Sequence, residues 1–201
     1  ASPASSVRYA GISPELGLSE TQQTLVLNGL RGQVTLQVDG QLKTGRDIIL
    51  MAMLGAEEYG FATSALIVLM MRKCHQNTCP VGVATQDPEL RRRFRGRYEY
   101  LVNYFTFLAQ EVREYLAEMG FTKLDNIIGH TELIDRKPVK EGGKYALLDF
   151  SKLLYKVDSQ AAIRHVIDQQ HNIDHVKDVS IIEAAQDAIK QGKEVSLEYA
   201  I

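Results

Sequence analysis

Val34–Thr63, VTLQVDGQLKTGRDIILMAMLGAEEYGFAT, is the stretch whose reading decides the fold. It reads as strand, glycine turn, helix, glycine turn, strand, a parallel βαβ unit in about thirty residues. Val34, Leu36 and Val38 alternate with Thr35, Gln37 and Asp39. The first strand therefore has an apolar face for a covering helix and a polar face that ends at Asp39. Gly40 frees the backbone for a tight turn. Thr44 and Asp47 have the spacing of a helix-start capping box. Ile48, Ile49, Met51, Ala52, Met53 and Leu54 carry the helix, and Gly55 stands where a left-handed C-cap is expected. The second strand is short, around Glu58 to Phe61, with its turn at Gly60. Two strand-end turns side by side, each offering backbone N–H groups before a helix, have the form of a phosphate cradle. Glycines are also ordinary turn residues in βαβ units, so the pattern alone leaves both readings of Gly40 and Gly60 open.

Upstream, Ala1 to Ser6 reads as loop and Gly11 to Gly17 as a glycine/proline turn region. Ser19 and Gln22 form a second capping-box spacing, Leu25, Val26 and Leu30 give an apolar side, and Gly29 or Gly32 ends the helix. The order helix, strand, helix, strand, helix is that of the last turns of an α/β fold. Downstream, SALIVLMMRKC is apolar nearly all round and reads as a buried helix.

Cys74 and Cys79 follow in CHQNTCPVGVATQDP. Thiolates at this spacing can share a metal or cluster, with Pro80 stiffening the exit. Two ligands fall short of zinc's four and of the three thiolates a cluster needs, and His75 is the one nearby addition. Unconnected reduced cysteines explain the spacing equally well. Asp87-Pro88 is an N-cap followed by proline at the first helical position. The run Arg91, Arg92, Arg93, Arg95 and Arg97 reads as a solvated face or a contact to another domain. Tyr98 to Met119 is a long helix, with Leu101, Val102, Phe105, Leu108, Val112, Tyr115, Leu116 and Met119 as a core stripe and Gly120 as its stop. Short helices are expected at Thr122 to Asp125 and from Thr131. DRKPVKEGG, residues 135–143, is the candidate linker. Ser180 is read as opening the helix IIEAAQDAIK, Gly192 as closing it, and Val195 to Tyr199 as a strand. His165, His171 and His175 lack cysteine or acid partners and read as surface residues.

The balance of 23 basic and 25 acidic residues gives a net charge of −2, and no apolar run approaches bilayer length. Neither nucleic acid nor a membrane is expected as a partner, and two cysteines fit a reducing cytoplasm or organelle stroma. The chain opens at Ala1 without methionine and closes on a strand-like segment with nothing after it to pair with. It reads as a piece of something larger.

DGQLKTGRD, LGAEEYGFAT and RKCHQNTCPVGVATQDPELR together resemble the central region of the glutamate synthase large subunit. RYAGISPELGLSETQQTLVLN and LDNIIGHTELID agree, so the likeness covers residues 1 to about 135 closely. The tail from about residue 170 resembles the entry to that family's C-terminal β-helix domain. The resemblance implies an FMN-binding TIM (β/α)₈ barrel, of which only the last two strands are here, then helices and the start of a right-handed β-helix. It divides the chain into 1–95, the end of the barrel with its cysteine loop; 96–135, a helical extension; 136–169, a linker region; and 170–201, the start of the β-helix domain.

In such barrels the site lies at the C-terminal ends of the strands. The family's flavin-phosphate turns correspond to Asp39, Gly40, Gln41 and Lys43, and to Gly60, Phe61, Ala62 and Thr63. The implied reaction is reductive transfer of glutamine-derived ammonia to 2-oxoglutarate, giving L-glutamate in ammonia assimilation. Electrons would come from ferredoxin or from an NADPH-oxidising small subunit. The family also holds a 3Fe–4S cluster on three cysteines. Cys74 and Cys79 match two, whereas the first, six residues before Cys74, falls at Val68, where the family has three further residues including the cysteine. No catalytic acid, base or nucleophile is assigned, since much of the substrate site belongs to preceding parts of the barrel. Two alternatives stand beside this reading: a non-catalytic truncated piece without FMN or cluster, and a small zinc module on the two cysteines.

Overall fold

The computed structural model describes residues 8–65, 87–139, 142–168, 173 and 175–199. It divides into two compact units, Ala1–Ile167 and Asp168–Ile201.

The first unit is built on the expected βαβ element. Helix α1, Pro14–Leu27, leads through a 3₁₀ turn at Arg31–Gln33 to strand β1, Gln37–Asp39. Helix α2, Gly45–Met53, connects it to strand β2, Glu58–Gly60. The strands pair in parallel, with Gln37 opposite Glu58, Val38 opposite Tyr59 and Asp39 opposite Gly60. The regular ladder is shorter than the alternating pattern suggests. Before it, the Leu36 carbonyl accepts from both the Glu57 and Glu58 N–H groups.

Helix α1 begins at Pro14, earlier than the Ser19 capping spacing predicts. Proline at the first helical position and Glu15 in the first turn favour that earlier start. The Ser19 hydroxyl instead donates to the Leu153 carbonyl at 2.5 Å. Gly29, with φ +67°, follows the end of the helix. Helix α2 has the predicted capping box and Leu54 as its C-cap, with Gly55 in the positive-φ region beyond it.

Helix α3 is short, Pro88–Arg92, and the Asp87 carboxylate accepts from the Glu89 and Leu90 N–H groups as its sequence predicts. Arg91, Arg92, Arg93, Arg95 and Arg97 are exposed, a solvated face. Helix α4, Tyr98–Glu118, lies against α2. Ile48, Ile49, Ala52 and Met53 of α2 meet Leu108, Val112 and Leu116 of α4 in one core, closed by Ile127 and Ile128. Met51 and Leu54 enter a second core with Leu18, Val38, Leu42 and Ala56. A helix wedged between two cores needs apolar residues on most of its circumference, which accounts for IILMAML.

The stretches after α4 form 3₁₀ turns at Leu124–Asn126 and Thr131–Leu133 rather than α-helices. Residues 142–167 return along this unit. Gln23 and Ser19 bond the carbonyls of Lys152 and Leu153, and the Val166 and Ile167 N–H groups donate to the Gly32 carbonyl.

The second unit contains α5, Lys177–Ala184, and α6, Gln186–Gln191, separated by a break at Ala185 and closed by Gly192 at φ +67°. Ser180 lies inside α5, its hydroxyl donating back to the Lys177 carbonyl. Val195–Tyr199 belongs to no ladder among the described residues, contrary to its strand-like alternation. A strand is made by its partner, and the described residues provide none there.

Candidate functional site

Because β1 and β2 are parallel and Asp39 faces Gly60, the two turns that follow them emerge side by side at one end of the sheet. The fit at this point is close. A Cβ on Gly60 would stand 2.9 Å from the Asp39 Cβ and 3.0 Å from its Cγ, so glycine is required beside that side chain. The first turn passes through Gly40 at φ +142° and Gln41 at φ +61°, the latter the one non-glycine residue with positive φ among those described. Gln41 and Lys43 are exposed, and Lys43 has no ion-pair partner among the described residues. In the second turn Phe61 is half-buried, Ala62 exposed and Thr63 half-buried. The buried Ser64 hydroxyl donates to the Leu42 carbonyl, tying the second turn to the first.

Four of the amides at and just before the start of α2, those of Lys43, Thr44, Gly45 and Asp47, are already engaged. The Asp47 carboxylate accepts from the N–H groups of Lys43 and Thr44, both at 2.9 Å. The Thr44 hydroxyl accepts from Asp47 N–H, and the Glu111 carboxylate of α4 accepts from Gly45 N–H at 2.7 Å. Two carboxylates thus sit at the positive end of α2, where an anion would otherwise bind. What the turns still offer an anion is the Lys43 ammonium and the peptide groups around Gly40–Gln41 and Gly60–Thr63. Asp39 is acceptor-only when ionised and suits a ligand hydroxyl rather than a phosphate.

Cys74 and Cys79 lie outside the described residues. Among those described, no three His, Cys, Asp or Glu side chains are grouped to hold a metal ion. His171 is also outside them, His175 is exposed, and His165 is half-buried. A cleft of about 400 Å³ lies between α1, α2 and residues 134–137 and 150–154. Leu50, Leu54, Ile134 and Phe150 line it, with Arg46 and Lys137 also present.

Sequence reading missed the residues that hold the turns: Ser64, Tyr104 and Glu111. The signal for Glu111 was present, since a carboxylate interrupts the apolar stripe of α4 between Leu108 and Val112.

The family model described as a conserved region in glutamate synthase matches residues 1–122. The chain belongs to the glutamate synthase family. It is 48% identical to the glutamate synthase (NADPH) large chain of Bacillus subtilis, with all of this chain and 13% of that protein aligned. It is 45% identical to the glutamate synthase (NADH) of Schizosaccharomyces pombe, over 92% of this chain and 9% of that one. With the ferredoxin-dependent chloroplastic glutamate synthase of Oryza sativa subsp. japonica the identity is 46%, over 100% and 13% respectively. The chain therefore spans about a tenth of the length of these glutamate synthases. No described helix is long and apolar enough to cross a membrane.

Proposed function

We propose that this chain is the part of a glutamate synthase that holds the phosphate end of FMN. In this reading β1 and β2 are the last two strands of a (β/α)₈ barrel, and residues 170–201 begin a β-helix domain beyond the 136–169 linker. The observation that carries it is the Asp39–Gly60 register, which brings the two strand-end turns together at one end of a parallel sheet. Lys43 supplies a cation, and Gly40, Gln41, Gly60, Phe61, Ala62 and Thr63 supply peptide groups to a dianion. Asp39 accepts from a hydroxyl of the same ligand. The engaged amides of α2 support a phosphate set between the two turns rather than on the helix N-terminus.

FMN supplies a flavin that accepts electrons singly and delivers them as hydride. The whole enzyme uses it to convert 2-oxoglutarate and glutamine-derived ammonia to L-glutamate, in cytoplasm or plastid stroma. Cys74 and Cys79 would supply two of the three thiolates of a 3Fe–4S cluster, and this sequence has no other cysteine to supply the third. Relatives named for NADPH, NADH and ferredoxin are 45–48% identical to this chain. That similarity supports a segment common to all three electron donors, so the donor is chosen elsewhere in the enzyme.

A second reading has its own observation. Each strand of the two-stranded sheet has one edge without a partner among the described residues, and two strands cannot close a barrel. The chain produced alone is then a scaffold piece that holds no flavin.

Flavin content and one variant test these readings. The full-length enzyme is expected to purify yellow with bound FMN, and the 201-residue chain alone colourless. Lys43→Ala in the full-length enzyme is expected to weaken FMN binding roughly tenfold or more, the loss of a charge-assisted contact. Unchanged FMN affinity in that variant, or a colourless full-length enzyme, sinks the phosphate-site reading.

A further inference from the structure

Helix α4 touches both turns of the candidate site and belongs to neither. The Tyr104 hydroxyl donates to the Lys43 carbonyl at 2.8 Å. The Glu111 carboxylate accepts from Gly45 N–H at 2.7 Å. The backbones are close there, since a Cβ on Gly45 would stand 2.8 Å from the Val112 nitrogen. Phe105 meets Phe61 edge to face, with ring centroids 5.4 Å apart, and packs edge-on to Tyr104 at 5.2 Å.

One helix face carries all of these groups, because residues 104, 105, 108, 111, 112 and 116 recur at three- and four-residue spacing. Its C-terminal part, Leu108, Val112 and Leu116, is buried in the core with α2. Its N-terminal part is not core: Phe105 is 37% exposed, although it reads as core in the sequence pattern. Phe105 and Tyr104 are each only partly buried and do more than fill the core. Tyr104 fixes the first turn through Lys43, Phe105 the second through Phe61, and Glu111 the start of the intervening helix through Gly45.

We propose that Tyr104, Phe105 and Glu111 are positioning residues, a clamp from α4 that sets the relative placement of the two turns without touching the ligand. This rests on the phosphate-site reading for its consequence in FMN binding, though the clamp itself concerns the turns. Ligand contacts displaced by a fraction of an ångström lose much of their effect, so loosening the clamp is expected to show first in how fast FMN leaves.

The test uses the full-length enzyme with Tyr104→Phe, Phe105→Ala, Glu111→Ala, Glu111→Gln and, as a control, Leu116→Ala. Two quantities are read: FMN release on dilution, by flavin fluorescence, and hydrogen exchange of amides in residues 40–45 and 60–64. The first three variants are expected to release FMN roughly three- to tenfold faster and to raise exchange in both turns, in proportion to one lost hydrogen bond or contact. Glu111→Gln keeps an acceptor oxygen and is expected to restore both readouts towards the parent. Leu116→Ala lowers the unfolding midpoint with little change in either.

If Leu116→Ala, at equal loss of stability, loosens the turns as much as Tyr104→Phe, the clamp is only core packing and the proposal falls. Unchanged exchange in Tyr104→Phe, Phe105→Ala and Glu111→Ala also overturns it. Should the parent enzyme hold no FMN, the phosphate-site reading fails, while faster exchange in those variants still supports the clamp.

Discussion

Arg31 is the residue on which the first unit turns. Its side chain is fully buried, and its bonds reach three separate parts of the chain. Nε donates to Gln22 Oε1 at 2.6 Å, one terminal nitrogen to the Val34 carbonyl at 2.6 Å, and the other to the Gly55 carbonyl and Glu57 Oε2. Glu57 also accepts from the N–H groups of Leu36 and His165, and Gln22 donates to the Ile163 carbonyl. This network joins α1, the approaches to both strands, and the returning segment. It lies at the strand end opposite the candidate site. Arg31→Met leaves the Glu57 carboxylate without its countercharge in a site only 13% exposed. The expected loss is about 3–5 kcal/mol, read as a lower urea midpoint.

A surface carboxylate, Glu132, gives a pH-dependent contribution. Burial pushes its pKa up, but hydrogen bonds from Lys156 and His130 outweigh that and hold it at about 2, below the ordinary 4.5. A depressed folded-state value means stability that is complete above 4.5 and lost as pH falls towards 2. The advantage of the parent over Glu132→Gln in thermal unfolding is therefore expected at pH 5–7 and to vanish near pH 2. With Glu132 44% exposed, solvent screening keeps the difference small.

At the scale of elements, α2 was the most legible part. Thr44 and Asp47 exchange the two bonds that their spacing announces. Thr44→Ala and Asp47→Ala are each expected to lower stability by about 1 kcal/mol. The double variant should lose less than the sum, because both act through one box. A double-mutant cycle by denaturant unfolding checks this, and strict additivity counts against a reciprocal box. The N-terminus of α1 was misread for an instructive reason. Ser19 has the spacing of a cap, but Ser13-Pro14-Glu15 upstream is a better helix start, and a cap inside a longer helix has no orphan N–H to serve. Helix α4 has the limits its sequence predicts to within a residue, but of the predicted core stripe only Leu108, Val112 and Leu116 are buried, whereas Val102, Phe105 and Met119 are exposed. That the same stripe changes its task at Phe105, from filling the core to holding the turns, depends on what lies opposite it.

At the scale of the molecule, the first unit is an α/β layer with a small parallel sheet and helices packed beside it. Parallel strands are normally covered on both faces and paired on both sides. Here Val38 is buried while Gln37 and Asp39 are exposed, and each strand has one unpaired edge among the described residues. Val102 and Phe107 of α4, at 57% and 72% exposure, add apolar surface on its outer side. The unpaired edges leave the pair open to further strands. The flavin comparison between the chain and the full-length enzyme addresses this scale.

The sequence by itself determined the βαβ unit, its parallel sense, the caps of α2 and α3, the stops of α2 and α4, and the two glycine turns. Each is a local consequence of period, propensity and turn chemistry, written within a few residues. Its family was legible for a related reason, since long motif strings identify relatives without any knowledge of contacts. Only the tertiary structure decided that Arg31 would be buried against Glu57, that Ser64 would reach Leu42, and that Tyr104 and Glu111 would hold turns some 60 residues away. It also decided that carboxylates of Asp47 and Glu111 would take the Lys43, Thr44 and Gly45 N–H groups at the start of α2. Such contacts depend on which surfaces meet once the helices pack, and packing brings together residues whose separation along the chain carries no pattern.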